Sequence, residues 1–272
     1  MVFITPEGFR ELATDGLRFR QVASDGTHLC GITLDDRVYC RLLLSDGQPQ
    51  QVQQPWVLRG RDVRSIAVDD GNLWAVNASF AVLVSRTRGA AQWRELPGRL
   101  RSIADAYAYT LAGIGLNDEV LVAHNSSSDV TSNPTWLKLG TQARALSLYR
   151  TYGPVRVAGL LPGGGLWFDA GGPPPLPPQD APPLSTLSSD DRAICGTHAI
   201  TQTLYCASKD AYSGWSALGS AFAQITVMAN SMLVGVASNG SLWTTLLVEV
   251  ASEPPAAVTL RKSEAALTGT VG

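Results

Sequence analysis

Charge is scarce in this chain of 272 residues: 16% of it is Asp, Glu, Lys or Arg, and 21 basic against 23 acidic residues leave a net charge of −2. No electrostatic argument therefore favours nucleic acid or an anionic membrane as a partner. No apolar run approaches the ~18 residues of a membrane span, which excludes a transmembrane helix. Nor does any repeat copy carry ten residues of helical periodicity, so the helical repeat architectures drop out. The opening residues, Met-Val-Phe-Ile-Thr-Pro, lack a basic segment followed by a long apolar one, and no signal peptide is read there. The three histidines, His28, His124 and His198, are far apart in sequence. No Gly-x-Ser-x-Gly or Cys–His protease signature accompanies them, so no catalytic site, metal or cofactor is expected.

What the chain does have is a repeat. A block of about forty residues recurs six times, the span that marks solenoids, propellers and arrays. In each copy a branched or long apolar residue, the anchor, is followed nine to thirteen positions later by Gly or Ala. The pairs are Val22–Gly31, Ile66–Ala75, Ile103–Gly113, Leu146–Gly159, Leu187–Gly196 and Ile225–Gly235. In four copies a Trp stands ten residues ahead of the anchor (Trp56, Trp93, Trp136, Trp215), followed by Gly60, Gly98, Gly140 or Gly219.

The segment after each small residue reads as a hairpin. In Gly31-Ile-Thr-Leu-Asp-Asp-Arg-Val-Tyr-Cys40, strand formers flank a cluster that tolerates tight turns. The anchor run adds a third strand and the Trp run a fourth. Four short strands per copy predict an all-β fold, a six-bladed β-propeller with about four antiparallel strands per blade. The small residue is placed on the innermost strand, where blades crowd, and the Trp on the outer one. Leu12 stands ten residues before Val22, where the Trp would be. An N-terminal strand is therefore expected to close the last blade and remove a bare sheet edge. On this reading residues 1–249 form the propeller and 250–272 a C-terminal tail or closing segment.

The spacing of Trp93-Arg-Glu-Leu-Pro-Gly-Arg-Leu-Arg-Ser-Ile103 resembles the tectonin repeat. The resemblance is most specific over 56–122 and 215–244 and covers about 9–245. It is weaker where Pro177 or Leu12 holds the Trp position. It implies a six-bladed propeller. Members with an assigned activity are mostly lectins for glycans on bacterial or parasite surfaces, and similar repeats also serve inside cells as interaction modules. Fold follows from such a likeness more firmly than function does.

The four cysteines form two pairs, Cys30/Cys40 and Cys195/Cys206, each bracketing a hairpin. Cross-strand neighbours are close enough to bridge, which gives two disulfides and an oxidising compartment. The other reading is four reduced, buried thiols acting as small apolar residues. Zinc is disfavoured, because Cys195 and His198 point to opposite faces of a strand and His28 with Cys30 and Cys40 makes only three ligands. Sequons stand at Asn77, Asn125 and Asn239. Localisation is left divided: cysteine pairing points to an extracellular, secreted protein, and Met1 as the native start points to the cytoplasm.

A binding face is a better expectation than an active site. The loops after the anchor strands carry Asp25, Asp69 and Asp70, Tyr107 and Tyr109, Tyr149 and Tyr152, and Asp190 and Asp191. All would emerge on one face of the disc. Carboxylates accept hydrogen bonds from sugar hydroxyls, and aromatic rings stack on the C–H face of a pyranose. Turn formation alone accounts for the Asp-Gly copies, and packing between blades is the rival account of the tyrosines.

The function expected is that of a non-enzymatic, multivalent lectin binding lipopolysaccharide or glycoprotein sugars, with avidity from several weak sites. The alternative is a protein–protein interaction scaffold within a larger complex. Its partner would be met at the rim or at the Pro-rich loop 171–184, where Pro interrupts the pattern and shortens a blade's outer strand.

Overall fold

The computed structural model describes residues 2–4, 8–43, 54–107, 110–124, 133–150, 155–169, 181–190, 192–208, 214–228 and 231–249. Every regular element in them is a strand. β1 (Val2–Ile4) and β2 (Arg10–Leu12) precede the first copy. Copy one contributes β3 (Phe19–Ser24), β4 (His28–Thr33), β5 (Val38–Leu42) and β6 (Val57–Gly60). Copy two contributes β7 (Val63–Asp69), β8 (Asn72–Asn77), β9 (Ala81–Arg86) and β10 (Arg94–Arg99). Copy three contributes β11 (Ser102–Tyr107), β12 (Thr110–Ile114), β13 (Glu119–His124) and β14 (Thr135–Gln142), and copy four β15 (Ala145–Arg150), β16 (Val155–Leu160) and β17 (Leu166–Phe168). The rest are β18 (Ser188–Ser189), β19 (Ala193–Thr197), β20 (Thr203–Ser208), β21 (Ser216–Val227), β22 (Met232–Ala237) and β23 (Leu242–Glu249).

The fold is an all-β propeller of antiparallel strands. Six separate blades are not what the hydrogen bonding gives, however. Four sheets stand alone, three of four strands and one of three, and the eight remaining strands share a fifth. The cause is β21. Its first half pairs with β20 and its second half with β22, so the outer strand of copy five runs unbroken into the first strand of copy six. Elsewhere a short break, such as Arg61-Asp62 between β6 and β7, separates the two roles. Copy four shows no fourth strand among the described residues, and most of the Pro-rich stretch lies outside them.

The repeat pattern is a register pattern. Five of the six anchors sit directly across from their small residue: Val22 from Gly31, Ile66 from Ala75, Ile103 from Gly113, Leu146 from Gly159, Ile225 from Gly235. The anchor strand is the innermost one. β3 packs on β7, β7 on β11, β11 on β15, β15 on β18, β18 on β21, and β21 returns to β3. This corrects the expected placement of the small residue, which is on the second strand.

Its smallness has another cause. A Cβ at Gly31 would stand 2.4 Å from the ring of Phe19, at Gly113 2.5 Å from Leu100, and at Gly235 2.5 Å from Phe222. Phe19, Leu100 and Phe222 each lie three residues before an anchor and are almost wholly buried. Where that residue shrinks to Val63, the partner grows to Ala75. The two positions trade volume in these copies; in copy four both are small, Ala143 and Gly159, and a Cβ at Gly159 would stand 3.1 Å from the Trp167 ring.

Six apolar clusters each straddle two consecutive copies, and a Trp borders or joins every one. Trp93 donates its indole N–H to the Arg59 carbonyl at 2.8 Å and Trp136 to that of Pro97 at 2.9 Å. Each bond ties an outer strand to the one before it. Gly60 and Gly98 lie against those rings: a Cβ would stand 3.1 Å from Trp93 at the first and 2.7 Å from Trp136 at the second. The ring closes through β2, whose Leu12 pairs with Leu242 of β23, while Trp56 reaches Ala13. Arg41, 5% exposed, stacks on Trp56 and donates to Ala13; burial lowers its pKa to about 10.

Both cysteine pairs are bridged, Cys30 to Cys40 and Cys195 to Cys206, each across one hairpin in register. The bridges are buried in the seams, one against copy two and the other against copy six. Residues 250–272, the Asn125 sequon, Tyr109, Tyr152, Asp191 and the side chain of Tyr107 lie outside what the structure describes.

Candidate functional site

The loops joining first to second and third to fourth strands surround a cavity of about 780 Å³ at one end of the propeller axis. Its wall repeats one position of the pattern. Ser24, Val68, Leu148, Ser189 and Val227 each stand two residues beyond an anchor, and all five line the cavity. The next position in the pattern supplies Asp25, Asp69, Asp190 and Met228 to the same wall. Four of the carboxylates expected from sequence, Asp25, Asp69, Asp70 and Asp190, are thus brought together. Below them a smaller space of about 50 Å³ lies between the innermost strands, flanked by Gln21 and Gln224.

Asp25 is the most constrained of the four, its side chain 8% exposed. Oδ1 accepts from the amides of Thr27 and His28, and Oδ2 from the Gly71 amide at 2.9 Å and His28 Nδ1 at 3.1 Å. Burial alone would push the Asp25 pKa up. The His28 ring and the three amides outweigh it and bring the pKa down to about 2. With four donors, both oxygens are fully used.

His28 is buried. Its Nε2 accepts from Arg88 Nε at 2.8 Å, which assigns the ring proton to Nδ1, facing Asp25. Asp25, His28 and Arg88 form one chain across the seam between copies one and two. The Nε2 lone pair of His28 is occupied, so the ring has no free basic nitrogen to take a proton from a hydroxyl. The Ser24 hydroxyl bonds instead to the His28 carbonyl at 2.5 Å.

Asp190 repeats the Asp25 turn in copy five, accepting from the amides of Arg192 and Ala193. Asp69 and Asp70 differ. Asp69 pairs with Asn72 to close a two-residue turn in which Asp70 and Gly71 both have positive φ, 46° and 71°. That is the geometry of a type I′ hairpin, which suits Asp and Gly. Asp70 is exposed at the cavity mouth. Arg86 and Arg88, at and beyond the end of β9, complete the wall.

A family model, the Tectonin domain, matches residues 13–152, more than half of the chain. The chain belongs to the tectonin family. No curated protein matches it. Among solved structures, it is similar to the CRINKLY WD40 ectodomain from the Arabidopsis thaliana receptor kinase ACR4. The identity is 15% and the TM-score 0.48, over 82% of this chain and 76% of that one.

In this tectonin propeller Tyr149 does not reach the cavity. It is 5% exposed and meets Phe168 edge-on at 6.0 Å inside the seam between copies four and five. The packing account holds for Tyr149. Asp25 and Asp190 in turn act as turn-formers as well as wall residues. His28, Arg86 and Arg88 were missed in the sequence, although Arg86-Thr-Arg88 occupies a third-to-fourth-strand connection that emerges on the same face as the Asp loops. Among the described residues, no group of His, Cys, Asp and Glu is placed to hold a metal ion, and no helix is long and apolar enough to cross a membrane.

Proposed function

We propose that this tectonin propeller, residues 1–249, is a non-enzymatic glycan-binding protein whose site is the axial cavity. The ring is read as six units, with the eight-stranded sheet standing for the fifth and sixth. The observation that carries the reading is the convergence of Asp69, Asp70, Arg86, Arg88 and Ser189 on one open cavity of a family rich in lectins. Carboxylates and guanidinium groups on a rigid wall are the acceptors and donors that sugar hydroxyls need. The seams leave little to rearrange on binding, which lowers the entropic cost.

Repeated equal sites give way to one in this proposal. The third position beyond the anchor is Asp in copies one, two and five but Ala106, Tyr149 and Met228 in the others. The disulfides fit a protein that works in an oxidising compartment. A glycan-array screen of the whole chain, followed by competition with the free sugar, tests the function. Signal abolished by a soluble sugar supports it, and a blank array across microbial and animal glycans overturns it. A scaffold is the second reading, supported by Val57 and Leu58, which are exposed on the edge strand β6, and by Leu137 on β14. Crosslinking in the native extract tests that alternative.

A further inference from the structure

Resting on the glycan reading, we propose that the cavity recognises an acidic sugar and that Arg88, assisted by Arg86, holds the sugar's carboxylate or phosphate group. Several polar groups of the wall are already used within the fold. Asp25 spends both oxygens on three amides and His28. Asp190 spends Oδ1 on two amides and faces Ser231 with Oδ2. The ion pairs of the described residues include neither Arg86 nor Arg88. Among the described residues Arg88 has one side-chain partner, the His28 ring, and it engages only Nε. The terminal nitrogens of its guanidinium have no acceptor among the described residues, and they stand on a wall that opens into the cavity.

Asp25 and His28 thus act as positioning residues. They aim a planar cation whose remaining donors match the two oxygens of a carboxylate or phosphate. A side chain held in advance loses less entropy on pairing. The exposed Asp70 on the same wall argues against a bare anion, since like charges repel, and for a ligand that carries hydroxyls beside its charge. A sugar acid or sugar phosphate has both.

The test is calorimetric titration of the whole chain with glucuronate, glucose 6-phosphate, glucose and inorganic phosphate. At least one of the two charged sugars should bind about tenfold or more tighter than glucose, and inorganic phosphate more weakly than that sugar. The advantage should shrink as salt rises from about 0.05 M to about 0.5 M. Arg88→Gln should bring the charged sugar down to the level of glucose, and Arg86→Gln, which loses no hydrogen bond within the described chain, should weaken it in part. Which charged sugar binds tells carboxylate from phosphate.

Glucose bound as tightly as both charged sugars, or an advantage unchanged in both arginine variants, overturns this inference and leaves the glycan reading intact. No binding of either charged sugar, with neutral glycans positive on the array, does the same. Failure of every sugar together with a blank array removes both. Phosphate bound as tightly as the charged sugars makes the site one for a simple anion and also overturns the inference.

Discussion

Asp25 in copy one and Tyr149 in copy four occupy the same place, three residues beyond the anchor, and do opposite things. Asp25 turns along the cavity wall and crosslinks two copies through Gly71, His28 and Arg88. Tyr149 turns into the seam and packs on Phe168. Both are almost buried, so exposure does not separate them; chemistry does. A carboxylate buried at that point recovers its lost hydration from amides and an imidazole, whereas a phenol ring recovers it from apolar contact. A repeat position thus fixes a place in the fold, and the residue there decides whether the copy adds to a site or to the core.

The largest effects are expected where the seams are tightest. Gly31→Ala puts a methyl group 2.4 Å from Phe19, and Gly159→Ala puts one no nearer than 3.0 Å to Leu146. Urea unfolding should show a loss above about 3 kcal/mol for the first and roughly 1 kcal/mol for the second. Adding Phe19→Leu to Gly31→Ala should recover part of the loss. Equal costs in the two copies would break the volume-trading account.

Next is Tyr149→Ala, with a stability loss of about 3 kcal/mol and no change in sugar affinity. Lost affinity with unchanged stability would return Tyr149 to the site. Replacing Cys30 and Cys40 together by Ser should cost roughly 2–3 kcal/mol, and so should replacing Cys195 and Cys206, since the bridges close loops of similar length, with separations of 10 and 11. A pronounced inequality would mean that one hairpin is held by its seam and not by its bridge.

A smaller effect than these, read from pH, concerns Asp25. Its folded pKa lies below its unfolded value of 3.8, so its contribution is complete above about pH 4 and lost as pH falls towards 2. A downward shift of this size bounds the loss at about 2 kcal/mol. Asp25→Asn should flatten this part of the pH–stability curve, measured by thermal melts between pH 2 and pH 5. An unchanged curve would mean that other carboxylates carry the acid sensitivity.

Much of the fold was legible because the repeat is a register. Anchor and small residue, as in Val22 and Gly31, are direct cross-strand neighbours. Leu12 standing in for a Trp marked the closing strand, and each cysteine pair marked a bridged hairpin. What failed was the meaning of smallness. Gly31 serves Phe19, twelve residues earlier, and nothing local in the sequence announces that contact.

The site was half legible. Turn chemistry picked out Asp25, Asp69, Asp70 and Asp190, because carboxylates that shape loops also line the space between loops. Arg86 and Arg88 went unseen because they come from a different connection and join the Asp loops only through the ring. His28 was hidden for the same reason, its partner Arg88 being sixty residues away.

Binding at one cavity, and not at several loops, is the central claim. Calorimetric titration of the array-selected sugar into the whole chain counts the sites directly. One site per chain is predicted, weakened in Asp70→Asn, which keeps a residue tolerant of positive φ, and unaltered in Tyr149→Phe. Five or six equivalent sites, indifferent to Asp70, would contradict it.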